Sequence, residues 1–229
     1  MGSYPTQYNP TGAQIPQVPF QQPQNLFRFG EQSIWSSLMF QGGTALANSV
    51  QRAFVTPLGQ QGQGFANALT IAETNIKEGG RVPSGVAYDV FGVACQVEQA
   101  TGAADAGTIS QPIDTQASIA QLLNIIQNGT LSWDFTQTQI DVCPISLAGA
   151  GGGAYGSVSQ NAAGANSGHM NNGAGQIWMY RKHPVSLAGA STFSVQARFG
   201  SRAAAIAAAN SMVLRIVLLG YYKNVIEIG

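Results

Sequence analysis

Charge is what this chain has least of. Ten Lys plus Arg and ten Asp plus Glu make up 9% of its 229 residues, and the formal net charge is zero. An ordinary globular domain carries about 25% charged residues. A free monomer uses charge to cover its surface and to keep copies of itself apart. Here that surface falls to Gln, Asn, Ser, Thr, Gly and Ala, which suits a protein packed against other protein, since interface centres are depleted in Lys, Glu and Asp. Seven Arg and three Lys are scattered along the chain, with Arg181-Lys182 the one adjacent pair, so no basic cluster is available to neutralise phosphates. That argues against direct, sequence-specific nucleic-acid binding.

Reactive side chains are equally scarce. His169 and His183 are the two histidines, and no Cys/His/Asp/Glu group has the spacing of metal ligands. There is no Gly-x-Ser-x-Gly nucleophile elbow. The stretch GAGGGAYG at 149–156 lacks the Lys-Ser/Thr pair and the following helix of a phosphate loop. Asp134 and Asp141 lie too far apart in strand register to argue for a carboxylate pair. These absences predict no enzyme, no cofactor, no metal and no small-molecule substrate. Two cysteines do not make a disulfide framework. Cys95 and Cys143 both lie in strand-like runs and read as small buried hydrophobes, with a bond between them left open. The longest strongly apolar run, Met212 to Leu219, is interrupted by Arg215 and is far too short to span a bilayer as a helix. The N-terminus has neither the basic start nor the apolar stretch of a signal peptide, and Gly2 is followed by a poor myristoylation context.

What is present is β-pattern. The hydrophobic fraction is 45%, too high and too uncharged for a disordered chain. Residues 1–25 (MGSYPTQYNPTGAQIPQVPFQQPQN) form an arm, in which Pro5, Pro10, Pro16, Pro19 and Pro23 block helix and central strand alike. Gln and Pro dominate it, which favours an extended chain in isolation. Tyr4, Tyr8, Phe20, Phe27 and Phe29 are its candidate anchors between subunits.

From Leu26 to Leu58 the pattern is mixed: Ile34, Trp35, Leu38 and Met39 fit a short helix or a strand pair, and Ala53 to Val55 reads as a strand ending at Pro57. A loop follows at 59–65, then a strand ending near Thr74. Val86 to Glu98 is a long strand, whose more apolar face is expected to be Ala87, Asp89, Phe91, Val93, Cys95 and Val97. Asp114 is placed to cap one helix over about Thr115 to Gln127, with Ile119, Leu122, Leu123 and Ile126 on its apolar face and Asn128-Gly129 ending it. The sequon Asn128-Gly129-Thr130 is better explained by that helix end than by glycosylation. Leu131, Trp133 and Phe135 alternate with polar residues, Ile140 and Val142 continue the pattern, and 148–175 reads as a long Gly/Asn/Ser loop. Strands follow at Gln176–Tyr180, Phe193–Phe199 and Met212–Tyr222, the last being the strongest. About eight strands, with one helix on a crossover, predict an all-β sandwich or barrel rather than an α/β fold.

The heptapeptide at 144–150 (PISLAGA) recurs at 184–190 (PVSLAGA). The similarity ends at these seven positions, so similar strand-exit turns explain it better than a duplicated unit. The context of the second copy, HPVSLAGASTFSVQARF, followed by MVLRIVLLGYYKNVI, resembles the closing strands of jelly-roll capsid proteins from tailless icosahedral bacteriophages. The stretch FVTPLGQQGQGF…TNIKEGGRVPSGVAYDVFGVACQV resembles their opening strands. Together these segments cover roughly half of the chain.

The resemblance implies a single jelly-roll antiparallel β-sandwich at 26–229, with one short helix, preceded by the extended arm at 1–25. It implies a self-assembling structural subunit of a virion, formed in the host cytoplasm, whose partners are copies of itself and other capsid proteins, with an underlying membrane left open. The rival reading is a receptor- or carbohydrate-binding jelly roll of a spike or fibre head, which exposed loop aromatics would favour; Tyr155 is the one aromatic in the long loop.

Overall fold

The computed structural model describes residues 26–100, 109–111, 116–135, 138–149, 158–160, 166–168, 177–180, 182–208 and 211–226. The strands are β1 (Leu26–Phe40), β2 (Val50–Ala53), β3 (Val86–Ala100), β4 (Ile109–Gln111), β5 (Gly129–Phe135), β6 (Thr138–Pro144), β7 (Val158–Gln160), β8 (Asn166–Gly168), β9 (Trp178–Met179), β10 (Val185–Leu187), β11 (Phe193–Phe199) and β12 (Ser211–Ile226). A helix, α1 (Gln116–Asn128), lies between β4 and β5.

Two antiparallel sheets pack face to face, so the molecule is an all-β sandwich. The first runs β1-β12-β3-β10, with β4 and β9 also pairing with β3; the second runs β2-β11-β5-β6. The pairs are nested: β1 with β12, β2 with β11, β3 with β10 and β5 with β6. The chain therefore pairs like one long hairpin tipped by β5 and β6, rolled so that alternate rungs fall in opposite sheets.

The core lies between the sheets. Leu214, Ile216 and Leu218 of β12 face Ala53, Leu131, Trp133, Val195 and Ala197 from the second sheet, all of them buried. Phe40 and Phe199 meet edge to face across the layers, 5.4 Å between ring centres, a geometry that matches the positive ring edge to a negative face. The alternation read from Phe193, Val195, Ala197 and Phe199 holds, since all four are buried.

The long strand β3 departs from simple alternation. Leu219 pairs with Gly92 but Gly220 pairs with Val90, so Phe91 has no partner and forms a bulge. A bulge shifts the side-chain period by one residue. The core therefore takes Tyr88 and Val90 before it and Val93, Cys95 and Val97 after it. The expected inward face is correct only from Val93 onward; Asp89 is exposed. Gly220 is needed at this point, because a Cβ there would lie 2.5 Å from the Asp89 carbonyl oxygen.

Other expectations change with local chemistry. Residues 26–40 form one fifteen-residue strand rather than a helix or strand pair. The strand at Ala53 stops there, because Phe54 turns to φ 69°. The expected strand ending at Thr74 is a turn. The Glu73 carboxylate accepts hydrogen bonds from the Thr70 backbone N–H (2.7 Å) and its hydroxyl (2.5 Å), and such local bonds compete with a ladder. Within 148–175, β7 and β8 pair with each other. The helix ends at Asn128, as its sequence predicts, and buries Leu122, Ile125 and Ile126 while Leu123 is half-buried. Ile125 was not among the expected positions; the capping Asp114 and the Ile119 side chain lie outside the described residues. Cys95 and Cys143 are free and buried.

Candidate functional site

A cleft of about 290 Å³ is lined by Gln32, Asn75, Lys77, Arg81, Tyr88 and Tyr222 among others. Its lining contains no carboxylate, thiol or imidazole. Among the described residues, no three His, Cys, Asp or Glu side chains come together as metal ligands, and no helix is long and apolar enough to cross a membrane. His183 is exposed beside Pro184, and His169 lies outside the described residues. The features that distinguish this molecule are its two outer sheet faces, which differ sharply in chemistry.

The outer face of the second sheet is polar. On β11 and β5 the residues between the core positions are Ser194, Gln196, Ser132 and Asp134. Ser132, Ser194 and Gln196 are buried even on this outward side. The Ser194 hydroxyl donates to Asp134 Oδ2 (3.2 Å), which also pairs with Arg52 at 3.5 Å, and Gln139 Nε2 donates to Ser132 Oγ (3.3 Å). A shallow hollow of about 380 Å³ opens over Arg52, Asp134, Thr192 and Ser194.

The outer face of the first sheet is apolar. Trp35 and Met39 of β1 lie opposite Val217 and Val213 of β12, which in turn oppose Ala94 and Glu98 of β3. One half of this face is covered by the chain itself: Met39, Val213 and Ala100 form a second buried cluster with Phe65 and Leu69 from the β2–β3 connection. The same connection reaches Trp35, whose indole N–H donates to the Ile71 carbonyl (3.0 Å). Beyond that point no described residue continues the cover. Ile71 is 61% exposed, and Tyr221, Ile177 and Met179 are exposed as well. The bulged Phe91 stacks at a tilt against Tyr221, 5.0 Å between ring centres. Gly92, opposite Leu219, sits beneath Ile177 and Met179. Charge enters this face at Arg215, on β12 between Val213 and Val217, which pairs with Glu98 at 3.5 Å, and at Glu31 and Asp89, which oppose Tyr221. A monomer seldom leaves such a contiguous apolar patch open without a partner for it.

None of the anchors proposed from the sequence is among the described side chains of this patch. Tyr4, Tyr8 and Phe20 lie outside the described residues. Phe27 and Phe29 fall in β1 by backbone, paired with Val225 and Lys223, and their side chains lie outside the described set. Sequence reading missed the patch, though β12 carried a signal for it. In MVLRIVLLGYY both alternating sets are apolar, Val213, Val217, Leu219 and Tyr221 no less than Met212, Leu214, Ile216 and Leu218. A strand apolar on both faces is a strand covered on both faces.

Compared with known protein families, with curated proteins and with solved structures, the chain matches none.

Proposed function

We propose that this chain is a single jelly roll and that it serves as a structural subunit of an icosahedral shell of a prokaryotic virus, assembled in the host cytoplasm. The observation that carries the reading is the nested pairing. The orders β1-β12-β3-β10 and β2-β11-β5-β6 are what an eight-stranded antiparallel hairpin produces when it rolls into two Greek keys, the arrangement of capsid jelly rolls. Zero net charge and a surface of amides and hydroxyls support it, because such a surface packs against copies of itself without burying unpaired ions. The half-covered apolar face supplies a place for a neighbour. Its work is mechanical: a rigid tile makes many contacts of modest strength, and no catalytic group is called on. The receptor-binding rival gains little, since the exposed large aromatic among the described residues is Tyr221, on a strand rather than a loop.

Electron microscopy of the expressed full chain tests this directly. Closed particles or curved sheets are expected. Every described strand of both sheets lies at Leu26 or beyond, so the variant lacking residues 1–25 is expected to keep its circular dichroism spectrum and lose the particles. A full chain that stays monomeric at high concentration would overturn the reading, and a deletion that unfolds the domain would assign the arm to the subunit's own core.

A further inference from the structure

We infer that the uncovered half of the first sheet's outer face is the seat for the Pro-rich arm, residues 1–25, of a second copy of this chain. The inference rests on the assembly reading above and adds to it the receiving surface.

The chemistry of the two parts matches. The arm contains no charged residue, and its Pro16-Gln17-Val18-Pro19-Phe20 run has two prolines three apart followed by an aromatic ring. Such a segment favours polyproline II geometry, with three residues per turn and little conformational entropy left to lose on binding. Pro-rich segments of this kind dock on surfaces built from aromatic ridges. The patch offers Trp35, Phe91 and Tyr221, flanked by exposed Ile177 and Met179. An uncharged segment laid there brings no like charge toward Glu31 and Asp89, the two carboxylates that oppose Tyr221.

The assembly reading makes a second copy the donor, and the arm's length permits it. Leu26 pairs with Ile226 at one end of β1, whereas Glu31 is the residue opposite Tyr221. The strand runs from Leu26 toward the patch, so the arm joins its own sandwich at the end of β1 that precedes the patch. Extended at roughly 3.1 Å per residue it spans about 75 Å, well beyond the length of about 50 Å that a fifteen-residue strand covers. It is long enough to leave its own sandwich and lie across the next.

The test uses the full chain carrying Phe20→p-benzoylphenylalanine, with isotopically light and heavy copies mixed, irradiated and mapped by mass spectrometry. Crosslinks between light and heavy copies that fall in 177–180 or 217–221 support the inference. Tyr221→Ser, at an exposed position, is expected to lower their yield about tenfold, the usual effect of losing an aromatic anchor. Met179→Ser repeats the test at a second exposed site. Crosslinks confined to one copy, crosslinks only to other surfaces, or no crosslinks overturn it. Sedimentation of the same sample reads assembly separately. Particles without patch crosslinks overturn the docking and leave the shell reading standing; patch crosslinks between copies without particles do the reverse.

Discussion

Phe54 holds a left-handed backbone, φ 69°, with its ring fully buried. For a residue with a bulky side chain that conformation costs about 1–3 kcal/mol, and its surroundings have to offset it. The ring lies 5.7 Å from Phe193. The N–H donates to Ser36 Oγ at 3.0 Å, and the carbonyl accepts from the Gly80 N–H at 2.6 Å. The position is thus fixed from three sides, which is how the chain leaves β2 and starts the long connection over the first sheet. Ser36 is itself buried. Ser36→Ala removes the acceptor and leaves a buried N–H without a partner, a loss of about 1–3 kcal/mol. Urea denaturation is expected to show a lower midpoint with an unchanged slope. An unchanged midpoint would mean that the Phe54 N–H had found another acceptor.

At the scale of elements, β1 is an edge strand, and a long open edge invites pairing with other chains. The turn that displaced the expected strand near Thr74 closes part of that edge. Asn75 Oδ1 accepts the Trp35 N–H at 2.9 Å and Asn75 Nδ2 donates to the Ser33 carbonyl at 2.9 Å, while the Thr74 hydroxyl donates to the Trp35 carbonyl. One side chain thus stands in for a short length of neighbouring strand. Asn75→Ala is expected to cost about 1–3 kcal/mol, because the Trp35 N–H loses its acceptor, and to raise thioflavin-positive aggregation. Loss of stability without aggregation would show that Thr74 alone protects the edge. None of this was legible beforehand, because a single Asn acting as a strand leaves no periodic mark. Strand β11 was legible because its alternating hydrophobes keep their register where no bulge intervenes, and β12 because it is a near-continuous apolar run. β3 was half legible: its hydrophobes announce a strand, but the bulge at Phe91 depends on a partner far away in sequence. The heptapeptide echo shows the same limit. In the first copy Ile145–Leu147 makes a 3₁₀ turn and leaves Leu147 45% exposed; in the second Val185–Leu187 is a strand against β3, with Leu187 at 1%. The near-identical triplets Ile-Ser-Leu and Val-Ser-Leu take two conformations because one copy has a strand to pair with.

For the molecule as a whole, stability rests on apolar layers and neutral hydrogen bonds, with two ion pairs among the described residues, both at the surface, where such pairs contribute little. The ionisable groups that matter for pH are buried thiols and phenols. Burial pushes the Cys143 thiol from the ordinary 9.0 up to about 11, and raises Cys95 as well, with the nearby Cys143 adding to it. Burial likewise pushes Tyr180 from 10.0 up to about 12, against the opposing effect of the Trp133 indole N–H that its hydroxyl accepts at 2.7 Å, and raises Tyr88. Each group holds its proton more tightly folded than unfolded. Below about pH 9 these groups are protonated in both states, so they give stability no pH dependence there. Above it the unfolded chain releases protons that the folded chain keeps, and stability falls with rising pH. The thiols begin the decline near pH 9, with the Cys143 share complete by about 11, and the phenols join near pH 10, with Tyr180 continuing to about 12. Urea midpoints measured from pH 7 to 11 are therefore expected to show no contribution from these groups up to about 9 and to drop beyond it. The double variant Cys95→Ala, Cys143→Ala is expected to start from a lower midpoint, because two buried side chains are truncated, and to begin its alkaline decline about one pH unit later. A midpoint that holds steady to pH 11 in the unsubstituted chain would mean that solvent reaches these side chains and that the layer between the sheets is not closed at Cys143 and Tyr180.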